Sequence, residues 1–347
     1  MSNIYTLLRN FSHLGGSRAK LAALWLMHIT GRRYIGVFID SILACNYSCR
    51  MCYFSNEEER RKRSGAKMTE EQMKHVAQSI FRRALKLQIG CGAEPTMDMK
   101  GALQLVQLGK QHGVPYISMT SNAALLQYDK LLPLVEAGLD ELTISLHGIH
   151  RETYQSMMGK NANYDAFLST LQGIKKIKET YPHFDVRVNY TMNADNVEEL
   201  ADFDRLFADV PIDQLQLRPI RQIGESSYTN FDLTHVSECL ETVIRPLAER
   251  CRAKGIIVLF PEKINIDRFA GKETANPREN LIALFTYINI TPNSYPRHDI
   301  HFEEEDYEGY SKRIGLAKQI WRSIWISDAA CAQIETTLSN SLNYEIR

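Results

Sequence analysis

Within "CNYSCRMCYF" (45–54), Cys45, Cys49 and Cys52 place three thiols in eight residues. Thiolate donors so close together favour zinc or an iron–sulfur cluster. A structural zinc closes its tetrahedron with a fourth Cys or His, and no fourth cysteine follows until Cys91. A cubane cluster usually takes four thiolates, so three would leave one iron open to another ligand. Asn46, Ser48 and Arg50 interleave the cysteines and argue against an apolar core segment.

The elements around this stretch say where it sits. "YIGVFIDSILA" (34–44) reads as a first strand, so the cysteines fall at the C-terminal mouth of a first βα unit, where parallel barrels build their active sites. Thr69 with Gln72 predicts a capping box, and Met73, Val76, Ala77, Ile80 and Ala84 follow at helical spacing. The alternation then repeats. "LQIGC" precedes a helix ending near Gly113, "YISMTSN" one ending at Gly138, and "ELTISLHG" one over 164–180. "DVRVNYTMN" precedes a helix opened by Asn196 with Glu199, and "QLQLRPI" a long one from about Thr234 bearing Val236, Leu240, Val243, Ile244, Leu247 and Cys251 on one stripe. Six βα units are expected by residue 255, with "IIVLFP" as a further strand. The predicted fold is α/β, a partial (β/α)6 TIM-like barrel over 34–260, with an N-terminal helical segment (1–33) and a C-terminal cap (261–347) that breaks the rhythm. "LAALWLM" (21–27) is expected as a helix packed on the domain, with an interfacial anchor as the alternative, and "EEERRKR" (57–63) as a solvated loop.

C-x3-C-x2-C, with Met51 just before the last cysteine and Tyr53 just after it, resembles the cluster motif of the radical S-adenosylmethionine (radical SAM) enzymes. The resemblance implies a [4Fe-4S] cluster on Cys45, Cys49 and Cys52 whose open iron chelates SAM. Reductive cleavage of SAM would then give a 5′-deoxyadenosyl radical that abstracts a substrate hydrogen. "GAEPT" stands where that family has Gly-Gly-Glu-Pro; it implies SAM contacts at Gly92, Ala93, Glu94 and Pro95, with Ala93 in the place of the second glycine. "MTSNAALL" (119–126) is similar to the family's Thr-Asn-Gly turn, with Ala123 in the place of the glycine, and adds Ser121 and Asn122. "ISLHG" (144–148) adds Ser145, on one strand face with His147. On the next strand the resemblance puts Arg187 near the SAM carboxylate and Asn189 near its ribose, and on the sixth it brings Leu217 beside adenine. "YINITP" and "KQIWRSIW" resemble the SPASM extension of peptide- and sugar-modifying members, but only Cys331 remains after 261, so such an extension would be degenerate and cluster-free.

Further candidates are weighed singly. His147 would serve as a proton relay or a substrate-orienting group. Cys91 would donate a hydrogen atom or simply fill a tight strand end, and Arg218 and Arg221 would clamp a carboxylate or phosphate or form surface ion pairs. Cys239, Cys251 and Cys331 read as packing residues. Lys plus Arg and Asp plus Glu balance at 41 each, so no field points to nucleic acid. Seven cysteines, an odd count in a 347-residue chain, suit a reducing compartment. The expectation is a cytoplasmic enzyme without a transmembrane segment, with peripheral membrane association open, reduced by a donor such as flavodoxin or ferredoxin. The 44 residues before Cys45 are too few for a typical peptide-leader domain, which favours a small-molecule, sugar or lipid-linked substrate; a peptide-modifying enzyme and a non-catalytic zinc scaffold are the alternatives. With no second triad, one cluster of about four irons is expected, and a redox-neutral rearrangement, epimerisation or radical addition is favoured over oxidation.

Overall fold

Strands buried on both faces read as continuous apolar runs, and Ile35–Ile39 is such a run, with four of its five residues buried. The computed structural model describes residues 15–63, 65–221, 225–264, 266 and 277–333. Its strands are β1 Ile35–Ile39, β2 Ala84–Ile89, β3 Tyr116–Ser121, β4 Glu141–Leu146, β5 Asp185–Met192, β6 Gln214–Pro219, β7 Ile257–Leu259 and β8 Tyr287–Ile290. They form one open sheet in the order β7-β6-β5-β4-β3-β2-β1-β8, parallel at every pairing. Parallel neighbours need crossovers, and helices such as Glu70–Ile80, Met99–Gln111, Tyr128–Glu136 and Tyr164–Thr180 supply them. The α/β partial barrel expected from the sequence is therefore observed, with its six βα units flanked by β7 and β8.

The Thr69–Gln72 capping box forms on both its arms. Asn163 caps Tyr164–Thr180 by accepting from the Ala166 N–H at 3.0 Å. Three expectations change. "EEERRKR" is helical over Glu57–Arg63, because its acidic first turn and the basic run after it fall in register for i,i+4 pairs: Arg61–Glu57 at 3.2 Å and Lys62–Glu58 at 2.9 Å. Asn196 does not cap a helix. Its side chain donates to the carbonyls of His147 and Thr191, both at 2.9 Å, and Glu198–Asp202 is a 3-10 turn leading into the short helix Phe203–Leu206. The segment expected as a cap also returns to the sheet: Tyr287–Ile290 pairs with β1 as β8, and the Asp40 N–H donates to the Ile290 carbonyl at 3.0 Å.

Both ends of the described chain dock on the barrel through Arg83. This buried arginine donates to the His28 carbonyl at 2.9 Å, pairs with Glu308 at 3.1 Å and lies over the rings of Tyr34 and Tyr307. The Ser17–Ile29 helix buries Leu21, Leu24 and His28, as expected of a packed helix, and contacts the Leu316–Trp325 helix through Trp25 and Trp321. Among the described residues, no helix is long and apolar enough to cross a membrane.

Candidate active site

A cavity of about 850 Å3 opens at the C-terminal ends of the strands and takes residues from the ends of β3 to β7 and from the loops after β1, β2, β3, β4, β6 and β7. The cysteine loop forms one wall, with Cys45, Cys49, Cys52, Met51 and Tyr53 all facing it. Two neighbouring turns and the Arg151–Met158 helix hold that loop in place. The Glu94 N–H donates to the Ala44 carbonyl at 2.9 Å, the Asn122 side chain donates to Asn46 Oδ1 at 2.8 Å, and the Arg50 N–H donates to the Met157 carbonyl at 2.9 Å. The Tyr53 hydroxyl donates to the Gly92 carbonyl. Gly159 runs against the loop with φ +100°, and a Cβ there would lie 2.5 Å from Ser48 Oγ and 2.8 Å from its carbonyl oxygen. None of the three cysteines is in a disulfide. Burial, then the nearby Glu94 carboxylate, pushes the Cys45 thiol up to about 12, and burial raises Cys49 as well.

The next wall is the turn after β2. Gly90 allows it with φ +79°; a Cβ there would lie 2.5 Å from the Thr120 carbonyl oxygen and 2.8 Å from the Pro95 ring. Asp40, at the end of β1, gathers the turn: its carboxylate accepts from the Cys91 N–H at 2.9 Å and the Gly92 N–H at 3.0 Å, and from the Ala93 N–H. Burial pushes Asp40 up to about 6 in spite of these donors. Glu94 joins the β2 and β3 turns. It accepts from Thr96 Oγ1 (2.6 Å), the Thr96 N–H (3.1 Å), Ser121 Oγ (2.8 Å) and the Asn122 N–H (2.8 Å). Burial raises its pKa against those four bonds. Ala123 is buried at φ +65°, a backbone that costs an alanine roughly 1–2 kcal/mol.

The same cavity is lined by Ser145 on β4 and His147 just after it, Thr191 on β5, and Gln216, Leu217 and Arg218 on β6, with Arg221 beyond. His147 is displaced by burial to about 4, so its ring is neutral near pH 7 and does not titrate there as a relay would. His147 Nδ1, Gln216 Oε1 and Asn189 Oδ1 are buried without a hydrogen-bond partner. Asn189 sits between Ser145 and Gln216 in the sheet and is not itself at the cavity surface.

Of the residues expected at the site, the three cysteines, Met51, Tyr53, Cys91, Gly92, Glu94, Ser121, Asn122, Ser145, His147 and Leu217 line this one cavity. Ala93 and Pro95 shape the turn behind it. Arg187 does not reach the mouth. It lies four residues before Thr191 on β5, roughly 13 Å down the strand, and its guanidinium pairs with fully buried Glu141 at 3.1 Å and donates to Gln214 at 2.8 Å. Glu141, which also accepts from Tyr116 and Thr143, makes Arg187 part of the barrel floor. Sequence reasoning missed Asp40, Asn46 and Gln216. A charge ending an otherwise apolar strand was the available signal for Asp40; nothing local marked Gln216.

The three mouth thiols do not converge as the ligands of one ion do. Among the described residues, three donors of His, Cys, Asp or Glu lie within 4.8 Å of one another only at Glu198, His235 and Cys239.

Residues 40–207 match the family model of the radical SAM superfamily. The chain is 29% identical over 205 residues to a "Probable GTP 3′,8-cyclase" of Saccharolobus islandicus, a match covering 57% of this chain and 62% of the relative. It is 24% identical over 211 residues to the protein of the same name from Sulfurisphaera tokodaii, covering 61% and 64%. The chain thus matches somewhat under two thirds of those relatives' length. In fold it is similar to Streptococcus suis SuiB bound to S-adenosylmethionine, with TM-score 0.54 and 15% identity over 78% of this chain and 61% of that one. It is also similar to anSMEcpe with bound AdoMet, with TM-score 0.51 and 15% identity over 65% of this chain and 64% of that one.

Proposed function

We propose that this chain is a radical SAM enzyme, as its match over residues 40–207 and its cyclase relatives support, that it carries one [4Fe-4S] cluster on Cys45, Cys49 and Cys52 with SAM, and that it abstracts hydrogen from a small, anionic substrate, free, sugar-like or lipid-linked. When bound, cluster and SAM supply one-electron chemistry: SAM is split into methionine and a 5′-deoxyadenosyl radical that takes a hydrogen atom from the substrate. One observation carries the reading. Three cysteines of one loop, none in a disulfide, share a cavity with the Glu94 turn, Ser145 and Leu217, yet are spread wider than the ligands of a single ion. That spread fits a multi-iron cluster and counts against the zinc scaffold. Half-buried thiols with raised pKa values, as at Cys45 and Cys49, are poor free anions, and cationic iron is a partner that makes such donors stable as thiolates. The unpartnered atoms of His147 and Gln216 fit a guest with hydrogen-bonding groups, as SAM is.

The chain's own residues bind, orient and exclude water. Asp40 fixes the Gly92–Ala93 backbone, and Glu94 offers a carboxylate to the SAM ammonium while holding Ser121 and Asn122. Neutral His147 orients by hydrogen bonding. Cys91 lines the cavity, where it either returns a hydrogen atom to the substrate or only fills the turn. Arg218 and Arg221 line the mouth with no carboxylate partner among the described residues, which supports an anionic substrate. The cyclase relatives are named for GTP, itself such an anion. The reducing electron comes from a flavodoxin- or ferredoxin-like donor, and the reaction is redox-neutral, because Cys239, Cys251 and Cys331 are buried apart from the cavity and build no second cluster there.

Iron and sulfide analysis after anaerobic reconstitution tests the assignment. About four irons per chain are expected, lost when Cys45, Cys49 and Cys52 are changed together to Ala. About eight irons, half of them surviving that change, would refute it.

A further inference from the structure

A second group of metal-binding side chains lies outside the cavity. Glu198 follows β5 in the Glu198–Asp202 turn, and His235 and Cys239 stand one helical turn apart on the Thr234–Cys239 helix after β6. His235 Nε2 is 3.1 Å from Glu198 Oε1 and 3.9 Å from Cys239 Sγ, and all three donor atoms lie within 4.8 Å of one another. A zinc tetrahedron with bonds of about 2.0 Å to N and O and about 2.3 Å to S has N–O edges of about 3.3 Å and N–S edges of about 3.5 Å. The observed separations differ from these by a few tenths of an ångström. Two further observations point to a cation. Glu238 approaches the other ring nitrogen of His235 at 3.4 Å, the carboxylate–imidazole arrangement that orients a metal-ligating histidine. Two carboxylates therefore converge on one imidazole, and among the described residues neither Glu198 nor Glu238 pairs with a lysine or arginine.

We propose that Glu198, His235 and Cys239 form a zinc site, with water as fourth ligand, that ties the segment after β5 to the helix after β6. The Cys239 thiol gives its proton to solvent on binding, and His235 binds as the neutral imidazole. Cys239 is buried, whereas Glu198 and His235 are open to solvent, which leaves the ion a way in. The two tied segments also lead to Asp195 and Tyr228, which meet Arg50 of the cysteine loop at 3.6 Å and 5.1 Å from ring centre. The staple therefore steadies one side of the cavity from behind.

The full chain with its cluster reconstituted, dialysed against zinc and then against metal-free buffer, is expected to keep about one zinc per chain. Cobalt(II) in its place is expected to give a sulfur-to-cobalt charge-transfer band and tetrahedral visible bands. Cys239→Ser removes the charge-transfer band, His235→Ala and Glu198→Gln weaken cobalt binding tenfold or more, and the Cys45/Cys49/Cys52→Ala chain keeps the band. Glu198 is solvent-exposed and His235 half-exposed, so their variants test the site even if Cys239→Ser fails to fold. The inference is overturned by a wild-type chain without the band, by a band that survives Cys239→Ser, by affinities unchanged in the other two variants, or by a band lost with the mouth cysteines. None of these readouts depends on SAM or turnover.

Discussion

Asp40 and Glu94 are carboxylates whose burial raises their cost of ionisation, yet both serve as acceptors for the backbone of the turns after β2 and β3. Glu94 meets four protein donors, so Glu94→Gln strips one oxygen from a junction of two turns as well as a charge from the cavity. SAM affinity should fall by about 1.5–3 kcal/mol, a factor of ten or more, with iron content unchanged; equilibrium dialysis of labelled SAM checks this, and unchanged affinity would contradict the role. Asp40 predicts a pH signature. Its folded pKa, about 6, lies above its ordinary 3.8, so between those values the folded chain binds more protons than the unfolded one. The stability this group contributes is complete below pH 3.8 and is lost as pH rises through 6. Asp40→Asn should therefore flatten the fall in melting temperature between about pH 4 and pH 6; parallel wild-type and variant curves would refute the assignment. His147, neutral above about pH 4, should impose no titration of its own on turnover near neutrality.

Elements carry these residues to the mouth, and Gly90 is where the element geometry is least forgiving. Alanine there would combine an unfavourable left-handed backbone with a Cβ 2.5 Å from the Thr120 carbonyl oxygen, and no side-chain rotation relieves a backbone contact. Gly90→Ala should cost more than about 2 kcal/mol in urea unfolding and lower SAM affinity with it; a cost under about 0.5 kcal/mol would show that the turn is free to move. Arg83 holds the two flanking helical segments, and Arg83→Ala, which empties the buried space beside the Tyr34 and Tyr307 rings and removes one donor from the His28 carbonyl, should cost about 2–4 kcal/mol. Elements with strong local signals were legible in the sequence: the Thr69–Gln72 box and the 164–180 helix appear where periodicity put them. The Glu57–Arg63 helix was not, because its support is i,i+4 charge pairing rather than an apolar stripe. β8 was not legible either, since four residues that complete a sheet edge owe their strand state to β1, some 250 positions earlier.

At the scale of the whole molecule, legibility followed the range of the interaction. The cysteine triad and the motif residues after β2, β3 and β4 were readable because strand ends carry their side chains to one mouth whatever else the chain does. Arg187 was misplaced for the same reason: face periodicity was right, but its height on β5, set by the Glu141 partner across the sheet, leaves it at the floor. Asp40, Asn46 and Gln216 acquire their roles only from neighbours on other strands. The central claim is that this mouth holds a cluster that cleaves SAM. The measurement that tests it most directly is 5′-deoxyadenosine formation from SAM by the anaerobically reconstituted, reduced chain, beside the same chain with Cys45, Cys49 and Cys52 changed to Ala. The account predicts 5′-deoxyadenosine and methionine in equal amounts from the wild type and none above background from the variant. Cleavage that survives the triple change would contradict it, as would a wild-type chain that holds its iron, is reduced, and leaves SAM intact.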